Sequence, residues 1–266
     1  MQICWHGAGC FSLKVNQMEW LVDPYFSRKA DYGDWYTENE HAPDLTDYLT
    51  NHDPQFVIIT HGHFDHFDLE AVKRINAAKR PVFVGNLEVI ATLKNLFAIT
   101  DTQVLPLEPG QKFNLGGIAG QTFQGVHWFT GEEGTKAAAK INRNPANYGA
   151  MPCGGPMLSF IFQLPEVSVY ISGDTKLDGV PDEQVDVAII NVGGKVYDPA
   201  TKGTAWPAIS AEETVEAVER LLKPRVLVPI HYDFKLFLEP VPVELLTEGL
   251  KTTRVVLLPY NQWTDI

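Results

Sequence analysis

The chain has little cysteine, no cluster of positive charge and no long apolar run. Cys4, Cys10 and Cys153 are its only three cysteines. An odd number without metal-type spacing excludes a disulfide framework and points to a reducing compartment. Lys and Arg total 21 against 33 Asp and Glu, a net charge of −12. Counterion release on nucleic acid needs clustered cations, so a nucleic-acid surface is excluded. No apolar run approaches the roughly 18 residues of a membrane span. The amino terminus lacks the basic-then-apolar order of a secretory signal, so a cytoplasmic protein acting on a small molecule is expected. No Ser/Gly-rich linker, charge block or low-complexity tract divides the 266 residues, of which 45% are apolar. The expectation is a single domain over 1–266, made of two β-rich halves of about 1–155 and 156–266. Assembly with further copies of the chain stays open.

Against these absences stands one dense segment, His61-Gly62-His63-Phe64-Asp65-His66. It follows the apolar run Phe56–Thr60, which reads as a buried strand. His61 and His63, two apart in extended chain, point to the same side and can grip one ion. Asp65 and His66 follow at the bend and can reach a second. Imidazole and carboxylate donors suit zinc and its first-row neighbours. Three further donors stand at presumed strand ends: His127 after 117–126, Asp174 in Ser172-Gly173-Asp174-Thr175, and His231 in Val228-Pro229-Ile230-His231-Tyr232. Taken singly, each is as well explained as a loop carboxylate or a packed histidine.

The order and context of these residues resemble the metallo-β-lactamase-fold hydrolase superfamily. The resemblance implies that His61, His63 and His127 hold a first divalent ion, that Asp65, His66 and His231 hold a second, and that Asp174 bridges them. Zinc is the expected metal, with manganese or iron as alternatives. Three stretches are similar to the L-ascorbate-6-phosphate lactonase-like (UlaG-like) branch. They are Trp5-His6-Gly7-Ala8-Gly9-Cys10-Phe11 with Leu21-Val22-Asp23-Pro24-Tyr25, then Val185 to Gly194, then Ser210 to Tyr232. Relatives often carry His where this chain has Ala8, and His6, two residues earlier, is the candidate replacement. The fold implied is α+β, a four-layer αβ/βα sandwich.

Local signals agree with that fold. An opening meander is expected over Gln2–Trp5, Cys10–Val15 and Met18–Val22. Asp68 can cap a helix over Leu69–Lys79, with Ala71, Val72 and Ile75 inward. A second helix, Leu87–Phe97, should turn Val89, Ile90, Leu93 and Leu96 inward. Strands near 103–105, 112–115 and 117–126 close the first half. Ser210 and Glu213 form a capping box for a helix reaching Leu222, and a last helix (243–250) and strand (255–258) follow. Two long connections stand out. Residues 24–43 carry Tyr25, Phe26, Tyr32, Trp35 and Tyr36, which form either a lid or a packed cover. Residues 130–156 carry Lys136, Lys140 and Arg143 and are the expected wall of the substrate pocket, with Arg143 as anion clamp.

The chemistry implied is a dinuclear metal-dependent hydrolase using a metal-bridging hydroxide on a small ester, a lactone or a phosphorylated sugar lactone. Asp65 would both ligate and shuttle the proton. Asn191, Lys195 and Tyr232 follow strands that should end near the metals and are candidate substrate contacts. Asp23 and His6 are candidates for orienting a ligand imidazole. His41 and His52 read as surface residues. Two alternatives remain, a phosphodiesterase of phospholipids or cyclic nucleotides and a non-catalytic metal-binding scaffold. The scaffold would be expected to have lost ligands.

Overall fold

The computed structural model describes residues 1–127, 154–198 and 202–266. They form two compact units, one of 1–107, 154–156 and 258–266, the other of 108–127, 157–198 and 202–257.

In the first unit, β1 (Gln2–Trp5), β2 (Phe11–Val15) and β3 (Met18–Val22) form an antiparallel meander. Asn16 and Gln17 turn the second hairpin with φ of 48° and 66°, the left-handed pair that matches strand twist. The next connection holds α1 (Lys29–Tyr32) and α2 (Leu45–Asn51), which Asp44 caps at Thr46. β4 (Pro54–Ile59), β5 (Val82–Asn86) and β6 (Val104–Leu107) then add in parallel beside β3. Parallel strands need long crossovers. Here they are α3 (Leu69–Lys79), capped by Asp68, and α4 (Leu87–Phe97), capped by Asn86. α3 buries Ala71, Val72 and Ile75, and α4 buries Val89, Ile90 and Leu93. Leu96 departs from the expected inward stripe: it lies in the last turn of α4 and is 54% exposed. At the far edge, β16 (Trp263–Asp265) pairs antiparallel with β1, Gln2 opposite Asp265.

The second unit begins with β7 (Lys112–Leu115) and β8 (Ile118–Gln124). Chain order alone suggests that these strands close the first half, but they pair onward to β9 (Leu158–Gln163) and β10 (Ser168–Ile171). β11 (Val187–Asn191), β14 (Val226–Ile230) and β15 (Arg254–Val255) continue in parallel. β12 (Val196–Asp198) and β13 (Gly203–Ala205) form a separate hairpin. α5 (Ala211–Ala217) starts at the Ser210–Glu213 capping box and runs on as a wider turn over Val218–Leu222. α6 (Glu244–Gly249) completes the helices named here. Ala188, Ile190 and Leu227 of the sheet pack with Ala217, Val218, Leu222 and Leu246 of these helices. The central strand β11 is buried along its whole length, as a parallel strand covered on both faces should be.

Each sheet, read from one edge, is a series of antiparallel pairings followed by parallel ones in the same order. Equivalent strands therefore end in equivalent loops: Asp23 follows β3 and Asp174 follows β10. The His61 segment follows β4, Asn191 ends β11, and His231 follows β14. Functional side chains gather at such carboxyl ends because the crossovers leave there.

Candidate metal centre

In the first unit the site is organised by Asp23. Its backbone is held in the left-handed region, φ 47°, and its carboxylate is buried. Oδ1 accepts the Thr60 amide at 2.8 Å, and Oδ2 accepts the Thr60 hydroxyl at 2.8 Å. His66 Nδ1 also lies 2.8 Å from Oδ2. Burial pushes the Asp23 carboxyl up, against the pull of His66 and the Thr60 hydrogen bonds.

These contacts decide the tautomers. A carboxylate only accepts, so His66 carries its proton on Nδ1 and its lone pair on Nε2. Thr60 donates its hydroxyl proton to Asp23 and must accept from His61 Nδ1, 3.0 Å away. The His61 lone pair is thus also on Nε2, which lies 2.9 Å from His63 Nδ1. Asp65 is buried, with Oδ2 3.5 Å from His66 Nε2. The segment is packed from below by a residue outside the expected site, Gly154. It has φ +71°, and its carbonyl accepts the Gly62 amide at 2.7 Å. A Cβ there would stand 2.9 Å from His63 Cε1 and 3.0 Å from His61 Cδ2. Its signal in the sequence, the Gly154-Gly155 pair, is too common to be informative.

In the second unit Thr175 is the junction. Its hydroxyl accepts the Val126 amide at 3.0 Å, and its carbonyl accepts Ile209 N at 2.9 Å. These bonds fix the strand end carrying His127, whose Nδ1 lies 2.5 Å from the Pro207 carbonyl. A carbonyl only accepts, so His127 too presents its lone pair on Nε2. Asp174 is buried, with Oδ1 2.8 Å from Asn191 Nδ2 and 3.7 Å from His231 Nε2. His231 sits at φ 69°, a conformation unusual for a residue with a side chain and common where function imposes strain.

Each unit thus carries His and Asp side chains able to hold metal. Their donor chemistry fits a metal centre, because metal-ligating imidazoles characteristically give their other N–H to a carboxylate, carbonyl or hydroxyl. His61, His66 and His127 all do so.

Other expected residues fall elsewhere. His6 orients no ligand: its Nε2 pairs with Ser12 Oγ at 3.0 Å and its Nδ1 with Asn261 Oδ1 at 2.9 Å. Burial lowers its pKa to about 4. His41 stacks on Tyr260 at 3.7 Å and His52 pairs with Glu19 at 2.5 Å, so neither is a bare surface residue. Asn191, expected to contact substrate, is buried against Asp174 instead. Lys195 is exposed, 5.7 Å from the Trp206 ring. Tyr232 is half-buried, and burial pushes its phenol up to about 12. Arg143, Lys136 and Lys140 lie outside the described residues.

A family model described as the beta-lactamase superfamily domain matches residues 2–231. The chain belongs to the metallo-β-lactamase-fold hydrolase superfamily. It is 29% identical over 238 residues to a UPF0173 metal-dependent hydrolase of Pyrobaculum arsenaticum, covering 88% of this chain and 84% of that one. To a UPF0173 metal-dependent hydrolase of Methanopyrus kandleri it is 28% identical over 97% of both chains. Among solved structures, Igni18, a metallo hydrolase from Ignicoccus hospitalis, superposes with a TM-score of 0.68 at 19% identity, covering 99% of this chain and 97% of the other. Likeness at that identity shows the superfamily's shared fold.

Proposed function

We propose that this chain is a dinuclear metal-dependent hydrolase of small esters, with lactones, including phosphorylated sugar lactones, as its substrates. One ion is assigned to His61, His63 and His127. The second is assigned to Asp65, His66 and His231, with Asp174 serving both; these donor sets have the composition to hold an ion. The observation that carries the reading is the fixed tautomer of His61, His66 and His127, each with Nδ1–H given to an acceptor and Nε2 presented as ligand. A chain that binds no metal has no need of three such imidazoles. When bound, zinc, manganese or iron would supply a water reactive at neutral pH and positive charge for the developing oxyanion.

The chain's own residues do the rest. The Asp65 carboxylate takes the proton of the attacking water and delivers it to the leaving alkoxide. Asn191 Nδ2 fixes the Asp174 carboxylate. Tyr232, with its phenol pushed up to about 12, stays protonated near neutrality and can donate to a substrate oxygen. The lactone preference is drawn from the lactonase-like branch, and Lys195 is assigned to the anionic group of a phosphorylated substrate.

The test is turnover of a lactone and phosphodiester panel by metal-loaded protein, beside Asp65→Asn. Lactone hydrolysis is expected, with kcat in the variant reduced roughly 100-fold or more while metal affinity falls much less. Equal loss of metal and rate would remove the proton role. Phosphodiester turnover without lactone turnover would replace the substrate assignment.

A further inference from the structure

Within the segment 61–66, every residue is buried except two: His63 and Phe64 are half-exposed. Phe64 follows His63 in the chain, so its partly exposed ring lies within the segment that carries the assigned ligands. That ring meets an aromatic group drawn from the 24–43 connection, edge-on to Trp35 at 5.7 Å and Tyr25 at 6.0 Å and tilted against Tyr36 at 5.4 Å. Tyr25 and Tyr36 are buried and form the floor, whereas Trp35 is half-exposed.

Tyr36 of this group, and the Tyr32 that Trp35 meets edge-on at 5.5 Å, are held by one buried carboxylate. Asp68 Oδ2 accepts Phe26 N at 2.9 Å, Ser27 N at 2.7 Å and Tyr36 OH at 3.2 Å. Its Oδ1 accepts Ser27 Oγ at 2.6 Å and Tyr32 OH at 3.0 Å. A surface of fixed rings contiguous with ligand residues is the composition of a preformed small-molecule site. The connection carries Asp31, Asp34, Glu38 and Glu40 against Arg28 and Lys29, and the Arg28 guanidinium donates to the Asn39 and Ala42 carbonyls rather than to the rings.

We infer that Trp35 and Phe64 form the subsite for a neutral aryl or alkyl substituent of the substrate. This deepens the hydrolase reading and rests on it: among the lactones that reading assigns, those carrying an apolar, uncharged substituent fit this subsite. Neutral rings and chains gain from both desolvation and edge or face contacts with Trp and Phe.

The experiment uses zinc-loaded protein and two matched series, alkyl- or phenyl-substituted γ-lactones for turnover and the corresponding γ-lactams for calorimetric binding. In the wild type, lactam affinity should rise with substituent size. Trp35→Ala and Phe64→Ala should each flatten that rise, by about tenfold for the largest member, with metal content unchanged and Trp35→Phe largely restoring it. Binding independent of size, or a rise unaltered in both alanine variants, would overturn the subsite. A size-dependent lactam series without lactone turnover would support the subsite and instead defeat the lactone assignment.

Discussion

At the residue scale, Asp23 carries more of the site than any ligand alone. It accepts from His66 directly and reaches His61 through Thr60, so one carboxylate sets two tautomers. Asp23→Ala should weaken metal binding about 10–100-fold, the usual cost of losing such a partner, measured by competition with a chromogenic chelator. Unchanged affinity would show that the imidazoles hold their orientation without it. His6 makes a separate prediction. Its pKa in the folded chain is lowered by burial to about 4, from an ordinary 6.5. The unfolded chain then binds the proton first as acid is added. His6 therefore leaves stability intact above about 6.5, and stability falls as pH drops from there towards about 4. Urea unfolding of wild type and His6→Gln across that window should show a shallower acid decline in the variant; equal slopes would contradict the burial argument.

At the scale of elements, α3 and the 24–43 connection share one anchor. Asp68 caps α3 through Ala71 N at 3.1 Å while gathering the amides and hydroxyls of Phe26, Ser27, Tyr32 and Tyr36. Asp68→Ala would strand those donors in the interior, and a loss of about 3–5 kcal/mol is expected in urea unfolding. A loss near 1 kcal/mol, the cost of a cap alone, would show that the connection is held otherwise.

This residue also shows where the sequence is readable. Its capping role is local, written by an Asp one residue before an amphipathic stretch, as is the Ser210–Glu213 box. The candidate ligands are only partly local: His61 to His66 are contiguous, whereas His127, Asp174 and His231, each ambiguous by itself, are implied by the family resemblance. What escapes a reading of the sequence depends on distant partners. The aromatic grouping on Asp68 joins residues some forty apart in the chain, and His6 meets Asn261 across 255 positions. β16 closes the edge of β1 from the other terminus. Asn191 reads as facing substrate because position at a strand end does not say which partner the side chain finds; the Asp174 carboxylate, in the loop after the adjacent strand, claims it.

For the whole molecule, the repeated strand order gives each unit one set of loops at the ends of its parallel strands, and each set carries residues proposed above as ligands. The first unit brings His61, His63, Asp65 and His66, and the second brings His127, Asp174 and His231. The proposal gives these seven donors to two ions, so the central claim of the account is the stoichiometry of metal. The direct measurement is elemental analysis of protein reconstituted with zinc and stripped of loosely held ions, for the wild type and Asp174→Ala. The account predicts about two ions per chain in the wild type, the number a paired centre requires, and loss of ions from the variant, whose missing carboxylate is assigned to both. A single ion per chain in the wild type, or full retention of metal by Asp174→Ala, would contradict it.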